Sequence, residues 1–398
     1  MLTLIIAIIA GIVAGTITGL IPGLHINLVA MLLFVSSAFF LQFTTPLVLA
    51  CFIVAMAITQ SFLDFVPAIF LGAPDEDTAL SILPGHRFLL KGQGYGAIRL
   101  TSLGCLIGTI IACIIAPLFV VASPIFYPIL AKAMAFILIG MYLLLILKEE
   151  KKILAIIIFF LSGILGIATL NFALIKQPLF PLFTGLFGSS LLIMSFMENT
   201  TIPKQNLEKI KISKKEIRTS SILSIISSSL VSFLPGIGAA QAATISSSLK
   251  KLNEKIFLVL LGMISTMTMI LSFVALYAIN KPRTGMAVFI GKLIPSLTIN
   301  QLWTFLAIAI ITAGIAFFLS LFFAKIMGKN ITKIKYKWLC LGILIFLIIL
   351  TPPVSGWMAL LILGVATAIG ILTSLFGVKK VHMMGSLLLP VIVYYLIH

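Results

Sequence analysis

Residues 15–33 read GTITGLIPGLHINLVAMLL, and residues 229–249 read SLVSFLPGIGAAQAATISSSL. In each, an apolar stretch is interrupted at Pro-Gly and resumes as a segment dotted with small and polar residues. Proline removes a backbone donor and glycine tolerates turns, so the pair predicts a helix break inside an apolar environment. Pro22-Gly23 and Pro235-Gly236 stand about 210 residues apart, roughly half the chain, which is the spacing of an internal repeat. Interrupted apolar helices at matching places in two halves mark the binding site of many membrane carriers.

Working outward, 61% of the 398 residues are hydrophobic and 9% are charged, with a mean hydropathy of +1.26. A soluble domain cannot bury that much apolar surface, so the solvent is a bilayer and the fold class is an all-α polytopic membrane protein. The N-terminus lacks the basic flank of a cleavable signal peptide and runs straight into the first break. The net charge of +17 does not argue for nucleic acid, because the basic residues lie between stretches of spanning length, where they set orientation. Cys51, Cys105, Cys113 and Cys340 lie in apolar stretches at no metal-ligand spacing and read as packed free thiols. No metal site or cofactor is expected.

Charge then orders the spans. The loop 198–218 carries Lys204, Lys209, Lys211, Lys214, Lys215 and Arg218 and reads as cytoplasmic. The loop 325–337, the run 148–152 and Lys379-Lys380 read the same way. Residues 219–249 are split by Pro235-Gly236 into two arms too short to span, with Arg218 before them and Lys250-Lys251 after them. Basic flanks on both sides predict a re-entrant hairpin, with irregular backbone sheltered by protein or a wet cavity. Spans follow near 255–280, 301–325, 338–351, 356–376 and 381–397, with a polar segment at 281–300. The first half repeats the order: a Pro-Gly unit over 1–41, a span at 46–72, a polar segment at 73–97, then spans near 98–122, 124–147, 152–174 and 179–197. The reading is therefore a first membrane repeat at 1–197, a basic cytoplasmic linker at 198–218 and a second repeat at 219–398. Five full crossings per half, about ten in all, make the repeats inverted, with the first hairpin open outward and the second inward. All but five of the 27 Lys and Arg residues then face inward, the exceptions being Lys132, Lys176, Lys281, Arg283 and Lys292.

The ten acids are informative because they are so few. Glu149, Glu150, Glu198, Glu208, Glu216 and Glu254 sit in or beside basic loops and read as solvated partners. Asp64 lies inside an apolar span, where a carboxylate faces a cavity or a partner. It is a candidate for Na⁺ or H⁺ coupling or for a structural hydrogen bond. Asp75, Glu76 and Asp77 follow Pro74 and precede Thr78 at a helix start, where the backbone dipole favours acids. They cap that helix, bind a coupling ion or pair with Arg87. Arg87 itself is either a fork-shaped anion donor or an interfacial anchor. His25 and Asn27 open the half-helix after the first break, whose unsatisfied N–H groups attract an anion. In the second half Gly236, Gly238, Gln241 and Thr244 occupy the corresponding place.

At these motifs the chain resembles the TctA family, the large membrane subunit of tripartite tricarboxylate transporters. The matching stretches are GLIPGLH (19–25), FLPGIGAAQAA (233–243) and FLGAPDEDTALSILPGHRFLLKGQGYGAI (70–98). The resemblance implies an inverted-repeat carrier of small carboxylates driven by a cation, with a small membrane partner and a solute-binding protein. It points to Pro22, Gly23, Asn27, Pro74, Thr78, Gln93, Gly94, Pro235, Gly236 and Gly238. His25 stands where the family usually has glycine, and Pro84-Gly85-His86 replaces an Asp-Gly-Tyr. Two functions fit: a secondary carrier of an organic anion, or a translocase that flips a polyprenyl phosphate. An apolar lateral opening toward lipid would favour the second. An enzyme using His86 with Asp75–Asp77 has no nucleophile–base spacing behind it. Expected partners are membrane lipid and a small anionic or lipid-phosphate substrate, and a homo-oligomer is compatible with this reading.

Overall fold

The computed structural model describes residues 2–21, 36–71, 82–197, 202–208, 210–234, 252–331 and 336–397, together with 238–239, 242–243 and 246–247. The protein is an all-α polytopic membrane protein. In the first half α1 (Leu2–Leu20) is followed by α2 (Pro46–Leu63), which continues through Asp64 into α3 (Phe65–Leu71). Then come α4 (Ile82–Leu90), α5 (Gly94–Lys132), α6 (Met134–Leu147) and α7 (Lys152–Leu170). The last rod is α8 (Leu179–Phe183), a π-helical turn (Thr184–Ser189) and α9 (Ser190–Met197). The second half runs α10 (Lys214–Val231), α11 (Glu254–Ile279), α12 (Gly285–Leu293) and α13 (Ile299–Asn330). It closes with α14 (Tyr336–Ser355), α15 (Ala359–Phe376), a 3-10 turn (Lys380–Met384) and α16 (Gly385–Ile397).

Local chemistry sets these boundaries. Thr45 caps α2 with Pro46 in the first turn, and Asn253 caps α11. Ser213 with Glu216, and Thr298 with Gln301, form reciprocal capping boxes on α10 and α13, each satisfying two otherwise orphaned donors. Asn280 and Gly377, both at positive φ, end α11 and α15. Pro67 lacks the N–H that the Leu63 carbonyl would accept, which accounts for the joint between α2 and α3.

Among the described residues eight helices are long and apolar enough to cross a membrane, and three shorter apolar helices accompany them. Each of the ten expected crossings coincides with a helical rod, but several limits move. The spans expected at 98–122 and 124–147 meet at Ala133 rather than near residue 123, because α5 runs unbroken past Pro117, Pro124 and Pro128. Helix-breaking prolines are tolerated in an apolar span where neighbours re-satisfy the freed groups. The polar segments 73–97 and 281–300 are not plain loops: α4 and α12 form within them. The linker 198–218 loses its last five residues to α10, because the Ser213 capping box starts the helix early. The span expected at 338–351 runs on to Ser355, with Pro352-Pro353 inside the last turn of α14.

Packing recurs with the halves exchanged. α1 packs on α2 as α10 packs on α11; α11 packs on α5 as α2 packs on α13; α7 packs on α16 as α15 packs on the π turn; α9 packs on α14 as α6 packs on α16. The result is two bundles. One holds α1–α5 with α10–α13, and the other holds α6–α9 with α14–α16. Lipid tails are as apolar as leucine, so close packing rather than water exclusion must draw these helices together. Small residues supply it. A β-carbon at Gly104 would collide with the Val259 carbonyl, and one at Gly262 with the Thr101 carbonyl. Of the cysteines, Cys51, Cys105 and Cys340 are buried, Cys113 is partly buried, and no disulfide joins any of them.

Candidate functional site

Helix α1 ends at Leu20, two residues before Pro22, and the Ile21 N–H still donates to the Ile17 carbonyl. Its final turns press against α2 through Gly15 and Gly19. There Thr18 Oγ1 donates to Gln60 Oε1 at 2.9 Å, and Gln60 is fully buried, as is Thr59. Asp64 stands one turn on, half-buried at the α2–α3 joint, with its carboxylate facing Gly19. Thus a buried polar cluster underlies the end of α1. The sequence reading singled out Asp64 alone. The run Thr59-Gln60-Ser61 in an apolar helix was the signal for the rest of the cluster, since buried polar groups require partners.

The second half has a matching arrangement. Counted from Pro46 and from Glu254, Ser272 holds the register of Asp64, and Thr268 that of Gln60. Ser272 Oγ accepts from the backbone N–H of Arg283 and of Thr284, both at 2.9 Å, fixing the entry to α12. Helix α10 ends at Val231, and the chain turns through Ser232–Leu234 toward Pro235. Further along the sequence, Ala242 N–H donates to the Gly238 carbonyl at 3.2 Å, an i to i−4 bond of helical spacing. Ser227 on α10 hydrogen-bonds Ser246, which sets the returning leg alongside the outgoing one, as a hairpin requires. Gly238 is buried in that leg. Pro22, Gly23, His25, Asn27, Pro74, Asp75, Glu76, Asp77, Thr78, Pro235, Gly236, Gln241 and Thr244 lie outside the described residues.

Arg87 is at the molecular surface. Its Nη1 donates to Glu254 Oε1 at 2.9 Å, and Lys91 Nζ lies 3.6 Å from the same carboxylate. Glu254 is therefore an ion-pair partner of α4. The segment 202–208 docks on the same face, where Gln205 accepts from Gly94 N–H at 2.9 Å and donates to the Leu89 carbonyl at 3.0 Å. These contacts give Gly94 a structural role at the start of α5, and Gln93, beside it, is exposed. An apolar groove of about 310 Å³ opens between α5 and α10, lined by Leu118, Phe119, Phe126, Leu230 and Phe233. The Phe119 and Phe233 rings stack within it, 5.0 Å between centroids.

One expectation is corrected outright. Glu149 is buried, not solvated. Its Oε2 lies 3.0 Å from Nε2 of the fully buried His382 and 3.4 Å from Lys379 Nζ. Lys151 Nζ adds a bond to the Phe376 carbonyl at 2.7 Å, and Lys379 Nζ one to the Lys148 carbonyl at 3.3 Å. The loops 148–152 and 376–382, from opposite halves, are latched together. Sequence alone could not pair them, because 233 positions separate Glu149 from His382. Burial alone would raise the Glu149 pKa; the His382 hydrogen bond and the Lys379 charge outweigh it and hold the carboxyl below its ordinary 4.5. A depressed carboxyl pKa contributes stability that is present above the unfolded value and lost as pH falls through the folded one. Glu149→Gln is therefore expected to cost about 1–3 kcal/mol at neutral pH. The difference from the parent should shrink as pH falls below 4.5 and vanish once the pH passes the lower folded value, as read by thermal unfolding across pH. An equal melting temperature at pH 7 would refute the latch.

The chain matches the family described as "Tripartite tricarboxylate transporter TctA family" over residues 5–385. It is 33% identical over 358 residues to "Uncharacterized protein MJ1079" of Methanocaldococcus jannaschii, covering 87% of this chain and 88% of that protein. No solved structure matches it.

Proposed function

Because this chain belongs to the tripartite tricarboxylate transporter TctA family, we propose that it is a secondary active carrier of an organic anion of the carboxylate class, coupled to Na⁺ or H⁺. The substrate sits between half-helix N-termini at the two Pro-Gly breaks, where unpaired N–H groups and the helix dipole favour an anion. The observation that carries this reading is the pair of polar stations at equal register, Gln60 with Asp64 and Thr268 with Ser272, each in the helix that follows a broken apolar unit. The exchange of packing partners between the halves supports an inverted repeat, the architecture in which such sites face one another near the midplane. The latch between loops 148–152 and 376–382, and the docking of 202–208 beside Arg87 and Glu254, support a common cytoplasmic face for these basic loops in the cell membrane. Partner subunits of the tripartite type, a small membrane protein and a solute-binding protein, belong to the proposal.

The apolar groove beside Phe233 favours a second reading, a polyprenyl-phosphate translocase, since a lipid tail could lie between α5 and α10 with its phosphate at the second break. A thermal-shift screen of the purified protein separates the two, because a ligand that binds only the folded state raises apparent stability. Citrate-like acids and short-chain polyprenyl phosphates are compared with and without Na⁺ and across pH. Stabilisation by soluble carboxylates is expected. Stabilisation by the lipid phosphate alone would establish the translocase instead, and a response to neither would overturn both. In the same assay Asp64→Asn is expected to abolish the Na⁺ or pH dependence of the carboxylate response. Unchanged dependence would return Asp64 to a packing role.

A further inference from the structure

The basic linker leaves α9 in the second bundle and enters α10 in the first, and between them it is fastened to the turn before α5. Gln205 bonds the Gly94 N–H and the Leu89 carbonyl, and Asn206 N–H donates to the Gly92 carbonyl at 2.7 Å. Gly92 stands at φ +76°, and a β-carbon there would press on the Lys204 carbonyl, so the two segments meet backbone to backbone. Farther along, a β-carbon at Gly96 would collide with the Ile210 side chain. This docking leaves a pocket of about 240 Å³. Gln93, the N-cap of α5, stands on one side, Asn206, Glu208, Ile210 and Lys211 of the linker on another, and Lys255, in the first turn of α11, on the third.

The polar groups of this pocket are held in place. Glu208 N–H donates to Asn206 Oδ1 at 3.0 Å, which leaves the Asn206 amide nitrogen as the end that donates elsewhere. Lys255 is half-buried and reaches the Lys211 carbonyl at 3.5 Å, using one of the three donors an ammonium has. Its neighbour Glu254 is taken up by Arg87 and Lys91. The described wall therefore carries two ammonium groups, of Lys211 and Lys255, and one carboxylate, of Glu208. Like charges on so small a pocket repel, and an anion between them offsets that repulsion. Helices α5 and α11 both begin here, and their N-terminal dipoles add to the preference for negative charge. Glu208 narrows the choice of anion. An ionised carboxylate group offers only acceptors, whereas hydrogen phosphate offers acceptors to the lysines and amides and an O–H to Glu208.

We propose that this pocket is a peripheral binding site for a phosphate group, held by Lys211 and Lys255 with the amides of Asn206 and Gln93, and that its occupant fastens the linker to the first bundle. The site is separate from both Pro-Gly breaks and does not depend on the carrier reading. Because the pocket is built from the linker, the turn before α5 and the start of α11, it exists only while the linker is docked. A bound phosphate therefore favours the docked linker over any arrangement in which it lifts away.

The test is isothermal titration of the full-length protein in detergent with inorganic phosphate and with glycerol 3-phosphate, each against sodium chloride of equal ionic strength. The parent is expected to bind inorganic phosphate. Binding of glycerol 3-phosphate as well would identify a phosphorylated metabolite as an occupant, and its absence would leave the free ion. The double variant Lys211→Gln with Lys255→Gln should weaken binding about tenfold or more, while Lys214→Gln, on the same linker outside the pocket, should leave it unchanged. Phosphate should also slow tryptic cutting of residues 204–215 in the parent and not in Lys255→Gln, which keeps every cleavage site of that segment. A parent that binds neither compound, or a double variant of equal affinity, would overturn the proposal. Binding lost in Gly236→Leu but kept in the double variant would belong to the Pro-Gly site and overturn it too. Binding with unchanged tryptic cutting would overturn the fastening role.

Discussion

Leucine in place of Gly236, or of Gly23, is expected to abolish the stabilisation that a carboxylate ligand confers while leaving the unliganded protein folded. At a ligand concentration of 100 times the dissociation constant the parent gains about 2.7 kcal/mol, and the variants should gain none. The reasoning is steric and local. An anion bound at a half-helix N-terminus is held by backbone N–H groups, and it reaches them only if no side chain stands between. Because the two breaks are expected to face one site, either substitution alone should suffice. The measurement is a ligand titration followed by melting temperature, with circular dichroism confirming helix content. Normal affinity in both variants would remove the half-helix site from consideration.

Alanine at Gly262 is expected to act in the opposite way, through stability and without regard to ligand. The α5–α11 crossing is so close that a β-carbon at Gly262 would meet the Thr101 carbonyl oxygen, and one at Gly104 the Val259 carbonyl oxygen. Neither contact is with a flexible side chain that could swing aside, so the helices themselves must separate. Overpacking of this kind costs about 1–3 kcal/mol, and more where backbone must move. Gly140 serves as the control. It lies in α6 with nothing within 4 Å of an added β-carbon, and alanine there should leave the melting temperature unchanged or raise it slightly. Equal behaviour of Gly262→Ala and Gly140→Ala would show that the crossing is looser than the structure indicates.

The two predictions divide along the line between what was readable in advance and what was not. The membrane class, the ten helical rods and both helix ends before Pro-Gly were legible, because they depend on local properties: apolar run length, a missing N–H, a capping side chain. The errors were local as well. The limits near 123 and 351 shift because α5 and α14 continue through their prolines, the freed backbone groups finding partners elsewhere. Candidate residues at the Pro-Gly pairs could be named from spacing, but the polar cluster at the end of α1 could not. Gln60 became part of it only when Thr18, 42 positions away, was brought within hydrogen-bonding distance.

Charge shows the same boundary most sharply. The sequence by itself determined that basic residues punctuate apolar spans, because a charge is costly inside a bilayer and collects between the stretches long enough to cross it. It also determined which stretches form helices and several of their capped ends, such as those at Ser213 and Thr298. Only the tertiary structure decided that Glu149 is buried against His382, that Arg87 meets Glu254, and that Lys380 is enclosed while Lys379 next to it is not. Burial and pairing are properties of what the rest of the chain places around a residue. In a protein whose two halves exchange packing partners, those neighbours come from the far half, at separations that no local pattern records.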